Sequence, residues 1–86
     1  MFQGHVIVTL KKDVMDPQGK AILEAAHHLN LPEVKELRAG RYFSVVIDAE
    51  NEQVAREKLD ALCRSLLANP VIETYRIQLE QYHTEE

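Results

Sequence analysis

The stretch DPQGKAI, residues 16–22, lies where an alternating run (HVIVTLKK, residues 5–12) gives way to a helical pattern. A phosphate-binding P-loop requires G-x-x-x-x-G-K-[S/T], and here the first glycine and the final Ser or Thr are both absent. A helix start accounts for the same residues, with Asp16 as the N-cap and Pro17 at the first helical position, where a missing N–H does no harm. The stretch therefore predicts the beginning of a helix and leaves Gly19 without an explanation.

Two helices are predicted from apolar residues spaced three or four apart. The apolar stripes are Ile22, Ala26 and Leu29 in the first helix and Ala55, Leu59, Leu62 and Leu66 in the second. The first helix is predicted to end before Pro32, because the residue that precedes a proline favours extended backbone. Asn51 is the predicted N-cap of the second helix, which Asn69 and Pro70 are expected to terminate.

Four strands are predicted from alternation and from the enrichment of β-branched and aromatic residues. They span residues 2–11, 34–38, 42–47 and 71–79. A tight turn at residues 39–41 is expected to join the second and third strands, with Gly40 supplying a positive φ. The order β-α-β-β-α-β predicts an α+β protein, a two-layer sandwich in which two helices cover one face of a four-stranded antiparallel sheet.

Length and composition predict one small domain, since the chain has 86 residues of which 45% are apolar. We expect this domain to span residues 1–80, followed by a polar tail at 81–86. Cys63 is the only cysteine, so no internal disulfide forms, and its apolar neighbours predict a small buried side chain. The net charge of −4 argues against a nucleic-acid partner. No apolar run is long enough to span a membrane and no basic leader opens the chain, so we expect a soluble, cytoplasmic protein.

The residue types that usually bind metals or perform catalysis do not occur here at the required spacings. His27 and His28 are adjacent on a helix, so their rings point about 100° apart and do not chelate one ion together. Cys63 has no second ligand at zinc-site spacing. No nucleophile elbow is present, and acidic residues near the helix starts are explained by capping. The sequence therefore predicts no catalytic residues, no bound metal and no cofactor.

The predicted sheet has apolar residues on both faces, although two helices cover only one of them. Ile7, Val46 and Ile72 are expected to point away from the covered face. A large exposed apolar patch is rare on a monomeric protein. We therefore predict that a second copy or another chain covers this second face, with Val46 in the contact.

Three segments, taken together and in this order, resemble the PurS family. They are VTLKKDVMDPQGKAI (residues 8–22), RAGRYF (residues 38–43) and LLANPVIETYRI (residues 66–77). PurS is the small subunit of the three-component phosphoribosylformylglycinamidine synthase, or formylglycinamide ribonucleotide amidotransferase, of purine biosynthesis. The resemblance covers residues 5–79.

The resemblance implies a non-catalytic homodimer or higher homo-oligomer that joins a glutaminase subunit to a synthetase subunit. It implies that the synthetase subunit uses ATP and magnesium, whereas the small subunit holds no cofactor of its own. It further implies that the small subunit helps assemble the complex and assists the passage of ammonia between the two active sites. On this basis Gly19 and Gly40 are expected where a partner backbone approaches, and further residues are expected at or beneath contact surfaces, namely Asp16, Pro17, Gln18, Asn69 and Pro70.

A second hypothesis is a small-molecule-sensing regulatory module, because β-α-β-β-α-β sandwiches also bind amino acids. In such a module the ligand lies at a junction between a loop and a helix, which corresponds to residues 13–19. Gly19 would then contact the ligand.

Overall fold

The computed structural model describes residues 1–83 and contains a three-stranded antiparallel sheet with two α-helices. In chain order its elements are β1 (Phe2–Leu10), α1 (Pro17–His28), β2 (Gly40–Ile47), α2 (Glu52–Leu62), a π-helical turn (Cys63–Leu67) and β3 (Glu73–Gln81). The strand order is β2-β1-β3, so the first strand lies in the centre and both other strands form edges.

The core lies between the central strand and α2. Val6 and Val8 of β1 are fully buried, as are Leu59 and the neighbouring Cys63. This arrangement follows from period two in the strand and a spacing of four in the helix, which bring the two apolar rows face to face. The predicted burial of Cys63 is confirmed.

The predicted strand at residues 34–38 is wrong, and the sheet therefore has three strands instead of four. Residues 31–39 form a connecting segment that follows α1, where the Val34 carbonyl hydrogen-bonds with Nε2 of His27 at 2.8 Å. The Arg38 guanidinium donates to the carbonyls of Leu10 and Lys11 at 3.3 and 3.0 Å. These bonds hold the segment against the β1–α1 loop, so it has no neighbouring strand to pair with.

The predicted turn at residues 39–41 is also wrong. Gly40 is the first residue of β2 and pairs with Thr9 of β1, and no glycine has a positive φ. Within residues 1–83 the left-handed conformation occurs at Asn30, with φ 65°, where α1 ends.

The buried stripe of α2 differs from its prediction beyond Leu59. Leu62 is half-buried and Leu66 is 77% exposed, whereas Cys63 is buried and Leu67 packs against the core. The buried positions keep a regular spacing of four residues, and the wider π-helical turn carries Leu66 out into solvent. The final strand begins at Glu73, because a turn at Asn69 accepts the Ile72 and Glu73 N–H groups before pairing starts.

The second face of the sheet is polar, which corrects the prediction that it is an apolar patch. Strand register places on this face Gln3, His5, Ile7 and Thr9 of β1, Tyr42, Ser44 and Val46 of β2, and Thr74, Arg76, Gln78 and Glu80 of β3. Ile72 lies outside the sheet. The predicted surplus of apolar surface exists, but it lies elsewhere.

The two helices are not equivalent, which corrects the prediction that both cover the sheet. Helix α2 packs on β1 and β3, whereas Gly19 is the only buried residue of α1. The molecule measures 49 × 35 × 16 Å and has a Cα radius of gyration of 16.5 Å. A compact domain of this length has a radius of gyration of about 12 Å. The chain is therefore flat and extended, with α1 and residues 31–39 forming an arm beside the sheet.

Within residues 1–83 no helix is long and apolar enough to cross a membrane. Gln81 is the last residue of β3, and the backbone N–H of Tyr82 donates to the Met1 carbonyl at 3.1 Å. Of the predicted polar tail, residues 84–86 lie outside the described part of the chain.

Candidate functional site

Asp16 joins the beginning of α1 to the beginning of β2. One carboxylate oxygen accepts from the Gly19 N–H at 3.0 Å, which confirms the predicted cap, and the other accepts from the Ala39 N–H at 2.7 Å. The Asp16 side chain is buried. The hydrogen bond from the Gly19 N–H makes the largest contribution to lowering the pKa of Asp16, and the bond from the Ala39 N–H makes the next largest. The nearby Arg38 guanidinium lowers this pKa by a smaller amount. A carboxylate with both oxygens engaged fixes the angle at which the arm leaves the sheet.

The two glycines of the predicted site are required by the chain's own backbone. A Cβ on Gly19 would lie 2.7 Å from the Leu37 carbonyl oxygen, and one on Gly40 would lie 2.5 Å from the Val8 carbonyl oxygen. In both cases the close backbone belongs to this chain. This explains why residue 19 is a glycine without a partner backbone or a ligand.

Asn69 and Glu73 build the entry into β3 and connect it to β2. The Glu73 carboxylate accepts from the Asn69 N–H at 2.7 Å, while both of its oxygens accept from the Arg41 guanidinium at 2.7 Å. The Glu73 side chain is 14% exposed, so this ion pair is partly shielded from water. The pair spans the central strand and ties the two edge strands together at one end of the sheet.

Most of the predicted contact residues thus lie at this end, which we call the junction end. A cavity of about 190 Å³ there is lined by Asp16, Gln18, Gly40, Arg41 and Glu73, among others. Pro17, Gln18 and Pro70 are exposed around it. Val46 lies apart from them, 47% exposed on the polar face and paired with Gln3 near the opposite end.

Arg38, Arg41 and Glu73 were not predicted from the sequence. Their partners are distant in the chain, since 32 residues separate Arg41 from Glu73 and 27 separate Arg38 from Lys11. No local spacing signals such contacts. The one available hint was the presence of arginines beside the predicted turn.

A polar network crosses the second face of the sheet at His5. The His5 ring hydrogen-bonds with the Tyr42 hydroxyl on β2 and with Glu80 on β3, the latter at 2.8 Å. Its ring also stacks on that of Tyr42, with centroids 5.8 Å apart. Gln3 donates to Ser44 at 2.8 Å on the same face. These bonds link all three strands across this face.

A groove of about 550 Å³ is lined by residues of α2 and β3. The Tyr75 hydroxyl donates to the Asp60 carboxylate in this groove, and this bond raises the pKa of Tyr75. Burial, followed by the nearby Asp60, raises the pKa of the Cys63 thiol. A tyrosine and a thiol that are both held protonated are poorly suited to nucleophilic chemistry.

Among residues 1–83 no three His, Cys, Asp or Glu side chains come close enough to bind a metal ion together. Within the same range every buried polar side-chain atom has a hydrogen-bond partner. The polar residues of the junction end thus hold loops in place, while α1 exposes apolar side chains. Together these features are typical of a small α+β protein-binding module.

Comparison with known proteins assigns the family. A sequence model of PurS, described as phosphoribosylformylglycinamidine (FGAM) synthase, matches residues 3–81. The phosphoribosylformylglycinamidine synthase subunit PurS of Methanocaldococcus jannaschii is 37% identical over 81 residues, which cover 94% of this chain and 98% of that protein. The corresponding subunit of Bacillus subtilis is also 37% identical over 81 residues, which cover 94% of this chain and 95% of that protein. The chain belongs to the PurS family, as its sequence predicts.

Solved structures agree with this assignment. The crystal structure of Methanocaldococcus jannaschii PurS, one of the subunits of formylglycinamide ribonucleotide amidotransferase in the purine biosynthetic pathway, matches with a TM-score of 0.88 at 36% identity, covering 96% of this chain and all of that one. A chain in the structure of PurLQS from Thermotoga maritima matches with a TM-score of 0.83 at 31% identity, covering 93% of this chain and 99% of that one. The match extends over nearly the full length of both relatives.

Proposed function

We propose that this chain is the non-catalytic assembly subunit of a phosphoribosylformylglycinamidine synthase. In this role it joins a glutaminase subunit to a synthetase subunit in purine biosynthesis, in the cytoplasm. The observation that supports it most directly is the likeness of the whole chain to one found in the Thermotoga maritima PurLQS structure. The apolar side of α1, where Ile22, Leu29 and the following Leu31 are exposed, supports a role in binding other polypeptides.

The chemistry belongs to the larger subunits in this proposal. The glutaminase subunit releases ammonia, and the synthetase subunit consumes ATP with magnesium. The small subunit closes the path between them, which has value because ammonia that escapes into water is diluted and protonated. It also self-associates, as a dimer or a higher homo-oligomer, since the isolated protomer leaves apolar side chains uncovered.

The junction end is the surface that we assign to contact with the larger subunits. Its exposed residues Pro17, Gln18 and Pro70 surround a rigid backbone held by the Asp16 and Glu73 carboxylates. A rigid surface binds with a small loss of conformational entropy.

Reconstitution tests this function. The glutaminase and synthetase subunits, mixed with glutamine, ATP and formylglycinamide ribonucleotide, are expected to form product efficiently only when this chain is added. Ammonium chloride in place of glutamine bypasses the transfer, so the dependence on this chain should weaken. Equal glutamine-driven rates with and without the chain, together with no co-migration on size exclusion, would contradict the proposal.

A further inference from the structure

Strand β3 lies at one edge of the sheet and presents a row of backbone groups to the outside. Where its pairing with β1 begins, the Lys11 N–H donates to the Ile72 carbonyl at 2.9 Å, and at the other end the Tyr82 N–H donates to the Met1 carbonyl at 3.1 Å. Hydrogen-bonded pairs recur at every second residue of an antiparallel ladder, so the even-numbered residues of β3 bond to β1. The odd-numbered residues of β3 therefore direct their N–H and C=O groups away from the sheet.

The groove between α2 and β3 runs beside these outward backbone groups, and we call it the α2–β3 groove. Its wall on α2 consists of polar residues three or four apart, namely Gln53, Arg56, Glu57 and Asp60. Tyr75 and Ile77 form its wall on β3. Their side chains share the face of the buried Val8 and Val6, with which they pair. Each of these two residues thus presents its backbone to the edge and its side chain to the groove.

Arg56 covers one of the outward carbonyl groups with a side chain that is easily displaced. Its Nη1 donates to the Ile77 carbonyl at 3.3 Å, and its Nη2 lies 3.9 Å from the Glu52 carboxylate. The arginine side chain is 49% exposed, so both contacts are weakened by water. An N–H group of another chain can take its place on the carbonyl. The edge is therefore shielded from indiscriminate pairing without being closed to a specific partner.

The α2 wall of the groove has a carboxylate that the chain leaves without an ionic partner. Asp60 accepts from the Tyr75 hydroxyl and pairs with Arg64 at 3.0 Å. Glu57 is exposed and makes no ion pair within residues 1–83. A lysine or arginine of a partner would complement this carboxylate.

We propose that β3 and the α2–β3 groove bind an extended segment of one of the larger subunits, which adds to the sheet as a further strand. Alternate side chains of an added strand lie on one face, so an apolar one packs on Ile77 and a basic one reaches Glu57. The inference rests on the proposed function and specifies the backbone groups that hold the larger subunit. Glu73, the first residue of β3, also lines the cavity at the junction end, so this edge continues the surface assigned to that contact.

A second copy of the chain fits this edge less well than a larger subunit does. Its extended segment at residues 31–39 is held by the Arg38 bonds to the Leu10 and Lys11 carbonyls. Two-fold pairing of two β3 strands would turn the same face of α2 in each copy toward the other, with the Glu57 carboxylates on facing walls. Like charges placed opposite each other disfavour such an interface. The edge therefore suits a segment of different sequence and opposite charge.

Amide hydrogen exchange tests the backbone bonds in the assembled complex. The isotopically labelled chain is exchanged into D₂O alone and together with the glutaminase and synthetase subunits, and its remaining amide protons are then read by NMR. In the chain alone, the outward amides of Tyr75, Ile77 and Leu79 are expected to exchange faster than those of the even-numbered residues between them. In the complex, exchange of these outward amides is expected to slow by about tenfold or more, because each one gains an acceptor.

Two outcomes of this measurement would overturn the inference. Unchanged exchange of the three outward amides in a complex that does form would show that the larger subunits bind elsewhere, and the proposed function would stand. Slow exchange of these amides in the chain alone, with no further change on adding the larger subunits, would show that a second copy holds the edge.

Glu57→Lys tests the groove independently of the backbone, and Glu50→Lys is its matched control. Both residues are exposed and both substitutions change the formal charge equally, but Glu50 does not line the α2–β3 groove. Titration of each variant against the larger subunits should show binding about tenfold weaker for Glu57→Lys and nearly unchanged for Glu50→Lys. Both are expected to stay folded by circular dichroism and to keep the wild-type sedimentation profile.

Equal binding by Glu57→Lys and Glu50→Lys would mean that the groove is not part of the contact, and the inference would be wrong. A Glu57→Lys variant whose sedimentation profile changes would place the groove between copies of this chain, which also contradicts it. If the wild-type chain binds neither larger subunit, the proposed function fails, and the inference fails with it.

Discussion

At the residue scale, Asp16 combines a local role with a long-range one. Its bond to the Gly19 N–H follows from the sequence pattern of a helix start, whereas its bond to the Ala39 N–H depends on the tertiary fold. Both bonds favour the ionised carboxylate. The stability of the arm therefore depends on the charge of this one side chain.

Asp16→Ala is expected to lower the melting temperature by several degrees, because the buried Gly19 N–H and the partly buried Ala39 N–H lose their acceptor. Asp16→Asn should have an intermediate effect, since its amide oxygen satisfies one N–H while its NH₂ group faces the other. Thermal melts followed by circular dichroism measure both. Asp13→Ala is the control, because Asp13 is exposed and outside these bonds. Equal melting of Asp13→Ala and Asp16→Ala would contradict this role.

The lowered pKa of Asp16 predicts an acid-dependent loss of stability. In the unfolded chain the group titrates near 3.8, and in the folded chain it titrates lower. Its contribution is therefore complete above that value and disappears as the pH falls through the folded pKa. Between pH 5 and pH 3 the melting temperature of the wild type should fall more steeply than that of Asp16→Asn, which has no carboxylate here. Parallel curves would show that Asp16 titrates equally in both states.

Gly19→Ala is expected to destabilise the chain, although alanine is ordinarily the better helix former by about 1 kcal/mol. The added Cβ would meet the Leu37 carbonyl oxygen at 2.7 Å, and backbone has little freedom to move away. Ala21→Gly is the matched control on the exposed side of the same helix and should cost about 1 kcal/mol through propensity alone. Denaturant unfolding measures both changes, and a more stable Gly19→Ala protein would refute the close approach.

At the element scale, the π-helical turn determines which side chains of the second helical segment are buried. A spacing of three or four residues from Ala55 predicts Leu62 and Leu66, because both are apolar and close to the ideal stripe. The structure instead continues through Leu59, Cys63 and Leu67. The sequence pattern favoured burial of Leu62 and Leu66 over burial of Cys63. In the structure the wider π-helical turn buries Cys63 and leaves Leu66 exposed.

Leu59→Ala and Leu66→Ala test this assignment directly. Leu59 is fully buried, so its truncation should cost about 2–5 kcal/mol of unfolding free energy. Leu66 is mostly exposed, so its truncation should change stability by no more than about 0.5 kcal/mol. Urea unfolding of the two variants provides the comparison. Similar losses for both would place Leu66 in the core.

The features that the sequence predicted well are those encoded by neighbouring residues. The alternating run of β1, the caps at Asp16 and Asn51 and the family motifs depend on spacings of a few residues. The strand at 34–38 was predicted wrongly because a strand also needs a neighbour to pair with, and Arg38 holds this segment elsewhere. Gly40 was misread for a related reason, since its missing side chain matters for the Val8 carbonyl across the sheet and not for a turn.

For the candidate site, too, the sequence indicated features set by neighbouring residues but not contacts between distant ones. Most of the predicted contact residues gather at the junction end, but the arginine and glutamate that hold it were not predicted, because their contacts cross the sheet. Val46 was selected from a correct premise, that the chain has more apolar surface than its helices hide. The surplus lies on α1, where Ile22 and Leu29 are exposed, and on the half-buried Val45 of β2, and only the fold shows these positions. Whether Val46 contacts a partner stays a prediction.

At the scale of the whole molecule, the flat shape and the uncovered arm predict that stability depends on protein concentration. A dimer that dissociates on unfolding gains stability by mass action as the chain becomes more concentrated. The melting temperature should therefore rise over a hundredfold increase in concentration. Ile22→Asp should abolish this rise while keeping the secondary structure. A melting temperature that is independent of concentration in the wild type would indicate a stable lone protomer.

The Asp16 carboxylate has a further consequence for how the arm meets other polypeptides. Its bonds from the Gly19 and Ala39 N–H groups join the start of α1 to the start of β2 and so set the direction in which the arm leaves the sheet. A binding element whose direction is set before contact gives up little conformational entropy when a partner docks. One buried side chain thereby prepares the arm before any partner arrives.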